Sequence, residues 1–136
     1  MDEQLGFVEA YLIDRYDTFI SFDYNEINSF DHENNVITIN TRQSKEKQLY
    51  SLLHEAGHLL LSEREDYDSN FSDIIQQPFK KKFSRANAVS VVRNEVLAWE
   101  KGYELAMEMG IEIDKDKWNK LRDTCLFNYL KWSTGV

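Results

Sequence analysis

This chain of 136 residues has few breakers of regular structure and almost no capacity for covalent cross-links. It contains one proline, five glycines and a single cysteine, Cys125. One cysteine excludes an intrachain disulfide framework and a four-cysteine zinc site. With so few breakers, we expect long helices joined by modest loops and held together by core packing, with Cys125 as a core residue of the last helix.

Positive charge and long apolar runs are also scarce. Sixteen basic residues stand against 24 acidic ones, which gives a formal net charge of -8. Repulsion from phosphate backbones and anionic lipid argues against nucleic acid or a membrane surface as a partner. No apolar run approaches the length that spans a bilayer, and the acidic residues 1–4 differ from the start of a secretory signal. We therefore expect a cytoplasmic protein without nucleic-acid or membrane partners.

Hydrophobic residues make up 42% of the chain and aromatic residues 13%, which is enough for one compact core. This length predicts one domain over residues 1–136 and leaves no room for a second. Apolar residues at helical spacing predict a first helix over residues 3–15. Two segments rich in β-branched and aromatic residues, 18–24 and 35–40, predict two or three strands of a small sheet.

Three longer helices are predicted in the rest of the chain. Ser44 is typical of a helix N-cap, and the apolar stripe after it indicates a helix that ends near Glu63. The polar segment 64–84 is predicted to be a long connection. Helices then follow over about 85–109 and from Asp114 onwards. The pattern predicts an α+β fold, mainly helical, with a small N-terminal sheet packed on the first long helix.

That helix contains the sequence His54-Glu55-Ala56-Gly57-His58, which matches the pattern H-E-x-x-H. Positions i and i+4 of an α-helix lie about 40° apart, so both imidazoles can bind one metal ion. Glu55 lies beside that ion, where it can hold and deprotonate a water molecule. A glycine inside a helix costs about 1 kcal/mol, so Gly57 indicates a close approach of another segment. The competing interpretation is two core histidines with local hydrogen bonds.

A catalytic zinc ion needs a third protein ligand. No histidine occurs in the ten residues after His58, and His32 lies in a polar turn before the sheet. A carboxylate on the next helix is the better candidate. Glu95 and Glu100 lie about 140° apart on that helix, so both cannot face the ion. We choose Glu95, because it borders the predicted apolar face, whereas Glu100 belongs to a solvated acidic row. That face is predicted to consist of Val92, Val96, Trp99 and Tyr103.

These residues resemble the gluzincin metallopeptidases, specifically the small cytoplasmic ones of the ImmA/IrrE type and the minigluzincin scaffolds. In that group an H-E-x-x-H helix follows a small sheet, and a second helix bears E-x-x-A-(D/N). The resemblance covers roughly residues 35–107. It implies zinc as cofactor, His54, His58 and Glu95 as its ligands, and Glu55 as general base. Trp99 stands where the group often has Asp or Asn, and residues 101–106 look more like small relatives encoded by phages or mobile elements.

The resemblance implies a hydrolase that cleaves an intracellular protein or peptide with zinc-activated water. The competing function is a metallopeptidase-like zinc protein that binds a regulator or host protein without proteolysis. An extended peptide could add to the edge of the strand at 36–40. Tyr67, Arg93 and Tyr103 are candidates for the donor that stabilises the oxyanion. The basic cluster Lys80–Lys82 is interpreted as part of a solvated loop.

Overall fold

A computed structural model describes residues 2–63 and 85–134. Within them the chain folds into helices α1 (Asp2–Tyr16), α2 (Lys45–Ser62), α3 (Arg85–Met109) and α4 (Lys115–Ser133), and strands β1 (Phe19–Asp23), β2 (Ser29–Asp31) and β3 (Val36–Asn40). The fold is α+β and mainly helical, as predicted. The predicted connection 64–84, with Tyr67 and Lys80–Lys82, lies outside the described residues.

The three strands form one sheet in the order β1-β3-β2. β1 pairs with β3 in parallel, and β2 pairs with β3 antiparallel. β3 therefore lies in the centre of the sheet, and the free edge predicted for residues 36–40 is wrong. The free edges of the sheet belong to β1 and β2. The prediction failed because β2, which covers one side of β3, has only three residues and is too short to show an alternating pattern.

Helix α2 is the centre of the core. Every residue from Gln48 to Leu59 is buried, and the helix contacts α1, β2, β3 and α3, while α4 contacts α3. The hydroxyl of Ser44 accepts a hydrogen bond from the backbone N–H of Lys47, and the helix ends at the C-cap Glu63. Both ends agree with the prediction. None of the helices in the described ranges is long and apolar enough to cross a bilayer.

Two glycines let α2 and α3 touch backbone to backbone. A Cβ atom on Gly57 would overlap the carbonyl oxygen of Ala98, and one on Gly102 would lie 2.5 Å from the carbonyl oxygen of Leu53. The close approach predicted at Gly57 is thus present, and Gly102 makes a second one from the opposite helix. These contacts fix how far apart the two helices lie and how they are aligned along their axes.

The buried face of α3 differs from the predicted one. Of the four predicted residues, Trp99 is buried, Val92 and Val96 are partly exposed, and Tyr103 is half-buried. The buried positions instead are Ala88, Val91, Asn94, Glu95, Ala98, Trp99, Gly102, Leu105 and Ala106. This face was missed because it consists mainly of small and polar residues, so hydropathy indicates a neighbouring face.

Candidate metal centre

Three side chains that can bind a metal ion meet between α2 and α3. His54 and His58 lie about one turn apart on α2, and Glu95 faces them from α3. One ligand atom from each of the three lies within 4.8 Å of the other two. Nε2 of His54 is 3.1 Å from Oε1 of Glu95, and Nε2 of His58 is 2.6 Å from Oε2. The structure thus brings the three predicted ligands together, whereas Glu100 is exposed.

The cluster is deeply buried and electrostatically coupled. His54, His58 and Glu95 are 7%, 3% and 0% exposed. Burial opposes the charge on Glu95, but the neighbouring His58 and His54 hold the pKa of its carboxyl well below the usual range. Burial likewise disfavours a charged His58, but the Glu95 carboxylate raises its pKa overall. Without a metal ion, the Glu95 carboxylate thus favours the protonated form of His58. Two imidazoles with one carboxylate are a donor set that suits zinc.

The raised pKa of His58 predicts how metal binding depends on pH. Metal binding requires a neutral imidazole, so a proton on His58 competes with the ion. Because the Glu95 carboxylate raises that pKa, the competition extends to higher pH than for an ordinary histidine. Below the raised pKa the apparent Zn²⁺ affinity is expected to fall about tenfold per pH unit, the slope for one displaced proton.

Competition with a chromophoric chelator at a series of pH values measures this slope. The variant His32→Gln, which changes the histidine outside the motif, should show the same pH dependence as the unmodified chain. An affinity independent of pH between 5.5 and 8 would contradict the proposed competition.

Glu55 lies next to this cluster and is also buried, at 3% exposed. Its Oε2 is 3.4 Å from Nδ1 of His54, and its Oε1 is buried without a hydrogen-bond partner among the described residues. Burial raises the pKa of its carboxyl, His54 and His58 lower it, and the balance is a raised pKa. A buried acceptor without a donor calls for a ligand such as a water molecule, and a raised pKa suits a group that exchanges protons near neutral pH.

Two residues that were not predicted to take part in the site contact the histidine rings. The indole of Trp99 stacks on the ring of His54, with centroids 4.0 Å apart and planes 8° apart. Nδ2 of Asn94 lies 3.4 Å from Nδ1 of His58. Their spacing from Glu95 could have identified both: Asn94 directly precedes it, and Trp99 follows four residues later on the same helix face.

A cavity of about 280 Å³ opens onto the cluster. Its walls come from the segment that leads into β2, from Gln43 before α2, and from the middle of α2, α3 and α4. The lining residues are Ile27, Asn28, Ser29, Gln43, Ser51, His54, Glu55, His58, Glu95, Trp99, Leu121, Cys125 and Tyr129. Neither Arg93, which is exposed, nor Tyr103 is among them, so these two candidate oxyanion donors do not border the cavity, whereas Tyr129 does.

Cys125 has a more specific place than the predicted one. It is half-buried and packs against the core, but it also borders the cavity, with Sγ 3.6 Å from Oε1 of Glu95. Burial raises the pKa of the thiol most, the Glu95 carboxylate raises it further, and the Trp99 indole opposes both. The thiol is therefore protonated at neutral pH and can donate to Glu95.

The sequence matches a known protein family. The sequence model of Peptidase_M78, described as the IrrE N-terminal-like domain, matches residues 20–107, which is more than half of the chain. No curated protein and no solved structure matches significantly. The matched range contains the whole of α2 and nearly all of the sheet and of α3, and with them the three clustered side chains and Glu55, whereas α4 lies outside it.

Proposed function

Because the chain belongs to the Peptidase_M78 family of IrrE N-terminal-like domains, we propose that it is a zinc-dependent peptidase of the gluzincin type, which cleaves an intracellular protein or peptide. The observation that carries the proposal is the buried cluster of His54, His58 and Glu95 with Glu55 beside it. A purely structural metal site does not need a base at that position.

The ligand roles follow from the chemistry of the cluster. His54 and His58 would hold the zinc ion through their Nε2 atoms, and Glu95 would hold it through its carboxylate, a set of three protein ligands of the kind found in catalytic zinc sites. Bound zinc lowers the pKa of a water molecule and polarises a peptide carbonyl. Trp99 and Asn94 would keep the two imidazole rings oriented, which supports both metal affinity and geometry.

Glu55 would act as the general base and then as the general acid. It accepts a proton from the attacking water while the water oxygen forms a bond to the carbonyl carbon of the substrate. It then donates this proton to the amide nitrogen as the C–N bond breaks. The raised pKa of its carboxyl brings it closer to the pH at which it must do both.

The substrate would bind as an extended peptide along the outer edge of β2. Ile27, Asn28 and Ser29 line the cavity, and β2 has an unpaired edge within the described sheet. The side chain of Asn28 donates to the hydroxyl of Ser51 and accepts from Nε2 of Gln43, so this edge is held in place against α2. An added strand gains main-chain hydrogen bonds without a strict side-chain requirement.

The first experiment measures zinc by elemental analysis after purification without chelators. The unmodified chain should contain about one zinc ion per molecule, and His58→Ala and Glu95→Ala should lose it, because removal of one ligand leaves an incomplete site. Glu100→Ala removes an exposed carboxylate from the same helix and should retain the ion. Absence of zinc from every sample would overturn the proposal, and zinc retained in Glu95→Ala would place the third ligand elsewhere.

A peptidase assay distinguishes the two functions proposed for this site, which are peptide cleavage and protein binding without cleavage. The zinc-loaded chain should cleave members of a quenched fluorescent peptide library, and removal of zinc by a chelator should abolish cleavage. A chain that holds zinc but cleaves no peptide would instead support the competing function, in which a metallopeptidase-like protein binds a regulator or host protein without proteolysis.

A further inference from the structure

Helix α4, which lies outside the part that matches the family, contributes one wall of the cavity. Leu121, Cys125 and Tyr129 line it at intervals of four residues, so they share one face of the helix. Cys125, the middle residue of the three, also contacts the cluster of His54, His58 and Glu95. Its Sγ is 3.6 Å from Oε1 of Glu95, in a geometry in which the thiol donates.

Glu95 depends on its neighbours for its orientation. It is completely buried, and its two oxygens face two different imidazoles, Oε1 towards His54 and Oε2 towards His58. Rotation of the carboxylate would therefore disturb both contacts together. Groups that hydrogen-bond to a ligand carboxylate fix its orientation and raise metal affinity. The Cys125 thiol lies on the Oε1 side and can perform this task from α4.

A second observation at the same place involves Trp99. Its ring is 2% exposed and stacks on His54, and its indole N–H acts on the Cys125 thiol, whose pKa it lowers. It borders the cavity together with Cys125.

We propose that Cys125 is a positioning residue of the metal centre, which holds the Glu95 carboxylate towards the two imidazoles by donating its S–H to Oε1. Trp99 fixes the ring of His54 and Cys125 fixes the carboxylate of Glu95, so two of the three ligands are oriented by side chains that do not themselves bind the ion. This inference rests on the proposed zinc site, but not on peptidase activity. It gives α4 a direct part in the centre, although α4 lies outside the matched range.

The test compares Zn²⁺ affinities of Cys125→Ala and Cys125→Ser with that of the unmodified chain, by competition with a chromophoric chelator. Alanine removes the donor, and the affinity is expected to fall by about tenfold or more. Serine retains an O–H donor, and the affinity should stay within about threefold of the unmodified chain. Thr124→Ala, at the exposed neighbouring position, is the control and should leave the affinity unchanged. Equal affinities for Cys125→Ala and the unmodified chain would overturn the proposal, as would serine and alanine weakening binding equally.

A double-mutant cycle distinguishes positioning from general packing. In the Glu95→Gln background, whose amide oxygen remains a weaker ligand and keeps Zn²⁺ binding measurable at higher zinc concentrations, Cys125→Ala should change the affinity by less than about twofold, because the carboxylate that the thiol orients is gone. An undiminished effect in that background would mean that Cys125 acts through packing alone. A failure of the unmodified chain to bind Zn²⁺ would instead overturn the proposed zinc site. If the chain binds Zn²⁺ but cleaves no peptide, the comparison of affinities still tests the role of Cys125.

Discussion

Replacing Glu55 with glutamine is expected to lower kcat by about 10²- to 10⁴-fold on any peptide that the zinc-loaded chain cleaves. Glutamine has nearly the same shape, so the buried position beside His54 remains filled and the zinc content should stay unchanged. Its amide cannot accept the proton of the attacking water. The loss should therefore appear in kcat, while KM changes little.

Initial rates with a quenched fluorescent peptide, measured beside the zinc content of the same samples, test this expectation. Glu100→Gln makes the same chemical change at an exposed position of α3 and should retain full activity. If Glu55→Gln cleaved peptides at the normal rate, the general base would have to be another group, and the mechanism proposed for this site would fail.

Replacing Gly57 with alanine is expected to destabilise the metal-free chain by about 3 kcal/mol or more. The added Cβ would overlap the carbonyl oxygen of Ala98. Because the obstacle is backbone, no side-chain rotation relieves the overlap, and α2 and α3 must move apart. This cost should exceed the roughly 1 kcal/mol that alanine gains over glycine in helix propensity.

Urea denaturation of the metal-free proteins gives the free energies of unfolding. Gly6→Ala is the matched control, because it makes the same change in α1, where a Cβ meets nothing within 4 Å. It should stabilise the chain by about 0.5–1 kcal/mol. A Gly57→Ala variant as stable as Gly6→Ala would show that the two helices do not depend on this contact.

The local elements and the motif could be predicted because their signals lie close together in the sequence. Ser44 caps α2, Gly110 follows α3 with a positive φ of 74°, and Asp114 caps α4. The pattern from His54 to His58 needs only helical geometry to place both imidazoles on one face. Glu95 required a choice between two carboxylates: helical spacing showed that only one of them could face the histidines, and proximity to apolar residues selected Glu95, although the buried face of α3 is not the one predicted.

The remaining features depend on contacts between distant parts of the chain. The position of β3 in the centre of the sheet requires β2, whose three residues carry no periodic pattern. The buried face of α3 was missed because Ala98 and Gly102 allow burial by their small size and not by hydropathy. The placement of α4 over the cavity, which brings Cys125 to Glu95, has no signature in either segment alone.

The backbone contacts at Gly57 and Gly102 also bear on which ions this centre can select. Where Gly57 meets Ala98 and Gly102 meets Leu53 there is no room for a closer approach, and separation would open voids in a close-packed interface. The gap between the imidazoles and Glu95 is therefore nearly rigid. Ca²⁺ requires six to eight oxygen ligands at about 2.3–2.6 Å and a flexible shell. Two nitrogens and one carboxylate do not provide that shell, and the close helix contact at the two glycines would keep them from spreading to fit a larger ion.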